Sequence, residues 1–256
     1  MEIWVALILG LLQGFVEFLP ISSSGHLVIA EHLFDIDINF VLLNVVLHMA
    51  TLVAVCIHYR KTLLYMFKNP FCKLNKMLLV ATIPAIIAVL LFKEFVVGAN
   101  HSVVFVGVGF LITAVLLFVS GYLAKNTARS IQVNYRTATF MGLAQALAVL
   151  PGFSRSGTTL AVGLIDGAER RSVLDFSFLM SIPIILASAI YELIFADAFS
   201  GVLISDWLSI GLASIVAFVA AMFGIRLMQK LTEKINFKWF VLYLLVAGVL
   251  TLVFVH

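Results

Sequence analysis

The chain has little charge: of 256 residues only 11% are Asp, Glu, Lys or Arg, against 63% hydrophobic. With a mean hydropathy of +1.15, that shortage excludes a soluble globular domain, because too few polar side chains remain to cover a water-facing surface. Cysteine is nearly absent, with Cys56 in an apolar run and Cys72 in a basic loop. Neither has a metal-ligand spacing around it, so no disulfide framework and no zinc site follows. Proline occurs five times, which leaves long stretches free to run as helix. The N-terminus lacks a basic leader region and its apolar run leads straight into polar residues, so the first segment is read as mature structure with no cleaved signal. Phe is abundant, with 22 residues, but no basic residues are interleaved with it, and nucleic-acid binding is excluded.

What is present is a series of apolar segments. Six have the length and hydrophobicity of full spans, at about 40–58, 77–93, 103–123, 173–195, 207–228 and 238–255. Two more are interrupted. Residues 3–19 are broken by Gly10, Gln13, Gly14 and Glu17 and stopped by Pro20. Their uninterrupted part makes roughly 18 Å of helix, too short for a hydrocarbon core of about 30 Å. It is read as one arm of a re-entrant hairpin. The second interrupted segment, 137–168, turns at Pro151 to Thr159. The expectation is an all-α integral membrane protein, one polytopic domain over 1–256.

The basic residues set an orientation. Arg60, Lys61, Lys68, Lys73 and Lys76 share one loop; Lys125, Arg129 and Arg136 share another; Arg170 and Arg171 precede the fourth span, and Arg226, Lys230, Lys234 and Lys238 precede the last. Six alternating spans place all of them on the cytoplasmic side if each interrupted segment returns to the side it left. Asp35, Asp37, Asp197 and Asp206 then lie outside, with both termini. There is also an internal echo. Gln13 to Pro20 with Ser24-Gly25 is repeated by Gln145 to Pro151 with Ser156-Gly157. Two interrupted segments in corresponding places of two halves, about 1–123 and 137–256, point to an inverted repeat with opposed re-entrant segments and a site near the midplane.

Polar residues collect at the two turns. Pro-Gly-Phe-Ser-Arg-Ser-Gly-Thr-Thr, from Pro151 to Thr159, sets one Arg and four hydroxyls in an apolar surround. A charge at bilayer depth costs roughly 2.5–3.5 kcal/mol on insertion scales, so Arg155 must face water, protein or an anion. Gly152 and Gly157 free the backbone, and Ser154, Ser156 and Thr159 add donors; the apolar run from Thr158 to Ile165 can open a helix. Helix-start N–H groups, hydroxyls and a guanidinium together make a phosphate cradle. A polar kink between packed helices is the plainer reading of the same stretch.

The first turn supplies the rest. Gln13 and Glu17 are four apart and share a helix face. Glu17 at that depth is protonated, paired with Arg155, or a ligand for a divalent cation, Mg²⁺ or Ca²⁺. Ser22, Ser23 and Ser24 with Gly25 form a second donor-rich turn with His26 at its end. Phosphoryl transfer needs a clamp, a nucleophile and usually a cation. Arg155 would be the clamp, Ser23 activated by His26, or His26 itself, the nucleophile, and Glu17 the metal ligand or the acid and base. His48 faces either the same cavity or a neighbouring helix, and Glu192 the interface.

These motifs carry a resemblance. Glu17 with Pro-x-Ser-Ser-x-Gly-His from Pro20 to His26, and Pro-Gly-Phe-Ser-Arg-Ser-Gly-x-Thr from Pro151 to Thr159, resemble the two signature motifs of the undecaprenyl-diphosphate phosphatase family of the bacitracin-resistance type. Asp175 to Pro183 resembles the segment that follows the second motif. The resemblance implies a bacterial plasma-membrane hydrolase that removes the terminal phosphate of undecaprenyl diphosphate with a divalent cation, recycling the carrier lipid for peptidoglycan synthesis. It implies a pocket open to the external face, with Glu17, Ser23, His26 and Arg155 functional and Ser22, Ser24, Ser154, Ser156, Thr159, Gly152 and Gly157 around the substrate. Gln13 stands where many members carry a second Glu, and His48-Met49 where Gln-Leu is expected. The competing class is a polyprenyl-phosphate flippase or transporter using the same clamp; a homo-oligomer is compatible with either.

Overall fold

The computed structural model describes residues 2–34, 40–100, 102–123, 131–195, 206–234 and 237–255. Asp35, Asp37, His101, Lys125, Arg129, Asp197 and His256 lie outside the described residues. The described chain is helical, from α1 (Ile3–Val16), α2 (Ser23–Phe34) and α3 (Phe40–His58) through α4 (Arg60–Lys68), α5 (Lys73–Leu91), α6 (Lys93–Asn100) and α7 (Val103–Leu123). It continues with α8 (Tyr135–Leu147), α9 (Arg155–Ile165), α10 (Arg170–Phe195), α11 (Asp206–Lys234) and α12 (Lys238–Phe254). Five of these, α3, α5, α7, α10 and α11, are long and apolar enough to cross a membrane. The sixth expected span, α12, is an apolar helix of 17 residues, about 26 Å long at 1.5 Å per residue.

The expected boundaries shift where charged side chains reach out of the apolar layer. α5 starts at Lys73 rather than near 77, and α11 runs on past Arg226 and Lys230 to Lys234, because long basic side chains carry their charge to water while the backbone stays helical. Two connecting segments are themselves helical, α4 in the basic loop and α6 after the second span.

Both interrupted segments are helical hairpins whose open ends close on themselves. In the first, the ring of Trp4 near the start of α1 meets Phe34 at the end of α2 edge to face, 5.7 Å between centroids. In the second, Glu169 N donates to Ile131 O at 2.9 Å, joining the chain after α9 to the chain before α8. Asp166 ties the same end, accepting from Arg136 Nε at 3.1 Å and from Thr137 Oγ1 at 2.6 Å. Each hairpin therefore leaves and returns at one level.

The hairpins pack across the halves. α1 lies along α11, and α8 lies along α5. Small residues permit the approach: a Cβ on Gly10 would collide with the Ala213 carbonyl oxygen, and one on Gly142 would sit 2.6 Å from the Ala81 carbonyl oxygen. Helix association inside lipid gains nothing from burying apolar surface, so backbone proximity and van der Waals contact take its place. α7 packs along α12.

Candidate functional site

The tips of the two hairpins meet. Ser156 Oγ donates to Leu19 O at 2.8 Å, and Ser22 Oγ donates to Phe153 O at 3.3 Å. A Cβ on Gly25 would lie 3.0 Å from Gly152 Cα, so the turns touch through glycine. Gly152 is the tightest point: its φ is +82°, and a Cβ there would collide with the carbonyl oxygen of Val106 on α7. Only glycine takes that left-handed backbone at so close an approach.

Both second arms begin earlier than the apolar pattern suggests. α9 opens at Arg155, not at Thr158, because Ser154 caps it, its Oγ accepting from Gly157 N at 3.0 Å. α2 opens at Ser23, so Ser23, Ser24, Gly25 and His26 form a first helical turn rather than a loose one. Ser22, with φ of 67°, sits just ahead of it, and its Oγ accepts from Gly25 N at 3.4 Å. These starts set Arg155 and Ser23 on rigid backbone at the meeting of the hairpins.

Glu17, the C-terminal cap of α1, is where several of the candidate side chains converge. Arg155 Nη2 donates to Glu17 Oε1 at 2.5 Å. Ser23 Oγ donates to Glu17 Oε2 at 2.6 Å, and Gln13 Nε2 to the same oxygen at 3.1 Å. His48 Nε2 stands 3.7 Å from it. The Glu17 and Arg155 side chains are only 7% and 12% exposed, so this is a buried pair, satisfied on both carboxylate oxygens. Arg155 Nη1 also donates to Ser177 O at 3.3 Å.

His26 belongs to the same turn but to another set of partners. Its Nδ1 donates to Ser22 O at 2.6 Å, which leaves Nε2 to accept from Tyr243 Oη at 2.5 Å. The Tyr243 ring stacks on the imidazole, 11° from parallel. The nearest recorded partner of the Ser23 hydroxyl is the carboxylate, not the imidazole. Tyr243, on α12, and His48, on α3, carry no motif signature; His48 could be read as facing the cavity from its place inside a span, whereas Tyr243 gives no sequence signal. Glu192, near the end of α10, interacts electrostatically with His48.

Most of the other hydroxyls hold the turns. Ser154 Oγ and Ser156 Oγ are 3.2 Å apart. Thr159 Oγ1 donates to Arg155 O at 2.7 Å, so the Ser177 hydroxyl is the donor in its 2.7 Å contact with Thr159. Ser24 Oγ lies 3.3 Å from Ser22 Oγ. Gly157 lies against Ser154 and Thr113, where a Cβ would be 3.0 and 3.1 Å away.

A divalent cation would find oxygen donors here. Among the described residues no group of three or more His, Cys, Asp and Glu side chains assembles. Gln13 is fully buried and its Oε1 has no hydrogen-bond partner, next to the Glu17 carboxylate and the Ser23 hydroxyl. Such a set fits a hard cation whose remaining ligands come from a phosphate-bearing substrate. Chemically, the arrangement offers a guanidinium fork, a carboxylate able to take a proton, and a hydroxyl whose proton already points at that carboxylate.

Comparison with known proteins gives the chain its family. The family described as Bacitracin resistance protein BacA matches residues 6–250. The protein named Undecaprenyl-diphosphatase 4 from Bacillus thuringiensis subsp. konkukian is 38% identical over 253 residues, covering 96% of this chain and 95% of that protein. The Undecaprenyl-diphosphatase of Carboxydothermus hydrogenoformans is 34% identical over 254 residues, 99% of this chain and 97% of its own. That of Christiangramia forsetii is 34% identical over 270 residues, 100% and 99%. The chain, with its two signature turns joined at Glu17 and Arg155, belongs to the bacitracin resistance protein BacA family.

Proposed function

We propose that this chain is an undecaprenyl-diphosphate phosphatase, removing the terminal phosphate of a polyprenyl diphosphate in the membrane and returning the monophosphate carrier lipid to peptidoglycan synthesis. The observation that carries the reading is the hydrogen-bonded line from Arg155 through Glu17 to Ser23. A buried cation, a base and a nucleophile in one line, reached from within the apolar layer, suit a phosphate tethered to a lipid. The relatives bear a hydrolase name, and the transporter reading of the same clamp draws no support from them.

In this reaction Arg155 moves from Glu17 to the terminal phosphate and neutralises charge on its equatorial oxygens. Ser23 Oγ attacks the phosphorus as its proton passes to Glu17 Oε2. The bond from phosphorus to the bridging oxygen breaks, and the polyprenyl monophosphate leaves with the proton that Glu17 returns. Water then cleaves the phosphoserine, giving inorganic phosphate and restoring the Ser23 hydroxyl, with Glu17 again carrying the proton between them. The 2.6 Å bond to Glu17 favours Ser23 over His26 as nucleophile. His26, anchored by Ser22 O and Tyr243, orients the start of α2. Ser22, Ser24, Ser154, Ser156 and Thr159 hold the two turns at the substrate, and Gly152 and Gly157 let the second turn pack closely against α7 and its own cap, which fixes the turn beside it.

Glu17 and Gln13 Oε1 would hold a divalent cation, Mg²⁺ or Ca²⁺, which when bound supplies further charge neutralisation to the diphosphate. The protein is multi-pass, with helices fit to span. The basic loops support a cytoplasmic side for the ends that carry them, and the resemblance of the two motifs supports the bacterial inner membrane and a site open to the external face.

The test is inorganic phosphate release from farnesyl or undecaprenyl diphosphate by the purified protein in detergent, with Mg²⁺ or with excess chelator, beside Arg155→Ala. Release that depends on Arg155 supports the phosphatase, and its loss with chelator supports the cation. A folded wild type that releases no phosphate under any of these conditions overturns it.

A further inference from the structure

At the end of the molecule where the basic side chains collect, α3 stops at His58 and the helix restarts at Arg60. The break opens a cleft of about 220 Å³ whose walls include Tyr59, Arg60, Lys61, Thr62, Arg171 and Gln229. Its inner wall is fixed by one carboxylate. Tyr59 Oη donates to Asp175 Oδ1 at 2.6 Å, Gln229 Nε2 donates to the same oxygen at 3.1 Å, and Arg171 Nε donates to Asp175 Oδ2 at 3.1 Å. Asp175 thereby ties the α3–α4 junction to α10 and α11. Burial, and then the Asp175 charge, push the Tyr59 phenol far above its ordinary range, so it stays a hydroxyl.

The outer wall is not committed in this way. Arg60 and Lys61 are exposed, and among the described residues neither has an ion-pair partner. Asp175, Arg226 and Arg171 all act electrostatically on His58 at the cleft, so the two exposed cations stand beside a wall whose charges already face one another. α4 starts here with no side-chain cap, which adds the positive end of a helix. Charge bias alone needs no concavity: Lys68 and Lys73, in the same loop, are exposed and line no part of this cleft.

The surface beside the cleft is apolar. α4 buries none of its residues, and Leu64, Tyr65 and Phe67 on it are 60%, 56% and 87% exposed. A short helix with basic residues at one end and bare apolar side chains along it has the character of an element lying in the membrane interface. A phosphate in the cleft would have its acyl chains run along those side chains.

We propose that this cleft binds the phosphate group of an anionic lipid, clamped by Arg60 and Lys61, with Thr62 as a hydroxyl donor. The site is separate from the hairpin tips and does not depend on what they catalyse.

The experiment is native mass spectrometry of the purified full chain in detergent with added phosphatidylglycerol or phosphatidylcholine, for wild type and Arg60→Gln/Lys61→Gln. Wild type is expected to retain phosphatidylglycerol over phosphatidylcholine by about tenfold or more, the scale that two surface cations contribute, and the double variant to lose that preference. A parallel titration with inorganic phosphate distinguishes the sources. Displacement of phosphatidylglycerol by millimolar phosphate keeps the phosphate chemistry and assigns the site to the free anion as well. Equal retention of the two lipids, or a preference unchanged in the double variant, overturns the proposal. Prenyl-diphosphate hydrolysis in the same samples is expected to be unchanged, which shows that the variant is folded; the binding result stands even where wild type itself hydrolyses nothing.

Discussion

Ser23 Oγ donates to Glu17 Oε2 at 2.6 Å, across the turn that separates the two arms of the first hairpin, and the other oxygen of that carboxylate receives Arg155 from the second hairpin. The proposed nucleophile and the proposed clamp thus share one carboxylate. The two hairpins are coupled electrostatically as well as by packing.

Ser23→Ala removes the nucleophile while leaving Glu17 paired with Arg155. Phosphate release is expected to fall by at least about 10³-fold, within the roughly 10⁶-fold loss that deleting a serine nucleophile can cause. The melting temperature should hardly move, since one hydrogen bond of about 1 kcal/mol is lost. Near-normal turnover in folded protein would shift the nucleophile to His26.

Arg155→Ala leaves a buried carboxylate without its counter-charge, which costs about 3–5 kcal/mol. Activity and thermal stability should both drop. The double variant Glu17→Gln/Arg155→Ala should regain most of the melting temperature and none of the activity. Arg155→Lys should recover little turnover, because a point charge does not reproduce the fork. Steady-state phosphate release and a melting curve on each variant check the set.

Tyr243→Phe removes the hydroxyl bonded to His26 Nε2 and keeps the stacked ring. Turnover should fall by about tenfold, which corresponds to about 1.4 kcal/mol. In a His26→Ala background the same change should cost nothing further, because the two residues then act through one bond. Additive losses in that cycle would mean that Tyr243 acts elsewhere.

Gly152→Ala places a Cβ on a residue at φ +82° and against the Val106 carbonyl oxygen. A left-handed non-glycine residue alone costs about 1–2 kcal/mol. The collision with backbone adds to it, so a fall in melting temperature and in yield of folded protein is expected. Gly98→Ala, where a Cβ meets nothing within 4 Å, is the control and should be neutral.

Much of this molecule was legible from order and composition. The six apolar segments became α3, α5, α7, α10, α11 and α12, and the two interrupted ones became hairpins. Glycine and serine at Gly152, Ser154, Ser22 and Gly25 marked the turns because left-handed backbone and capping are local requirements. What was not legible was the starting point of each second arm. Apolar periodicity begins at Thr158, but the cap at Ser154 extends α9 back to Arg155, so Arg155 opens the helix instead of preceding it.

The amino-acid sequence alone determined that this is an all-helical membrane protein with a phosphate-suited polar centre, because charge in an apolar layer is costly wherever the chain goes. Only the tertiary structure decided how that centre is wired: that Ser23 turns to Glu17 and not to His26, that Tyr243, 217 positions from His26, closes on its ring, and that a break after α3 leaves a basic cleft tied by Asp175. Several polar groups could have satisfied one another in each case. Which of them meet is settled by how helices from the two halves pack against each other, and no local pattern of residues encodes that.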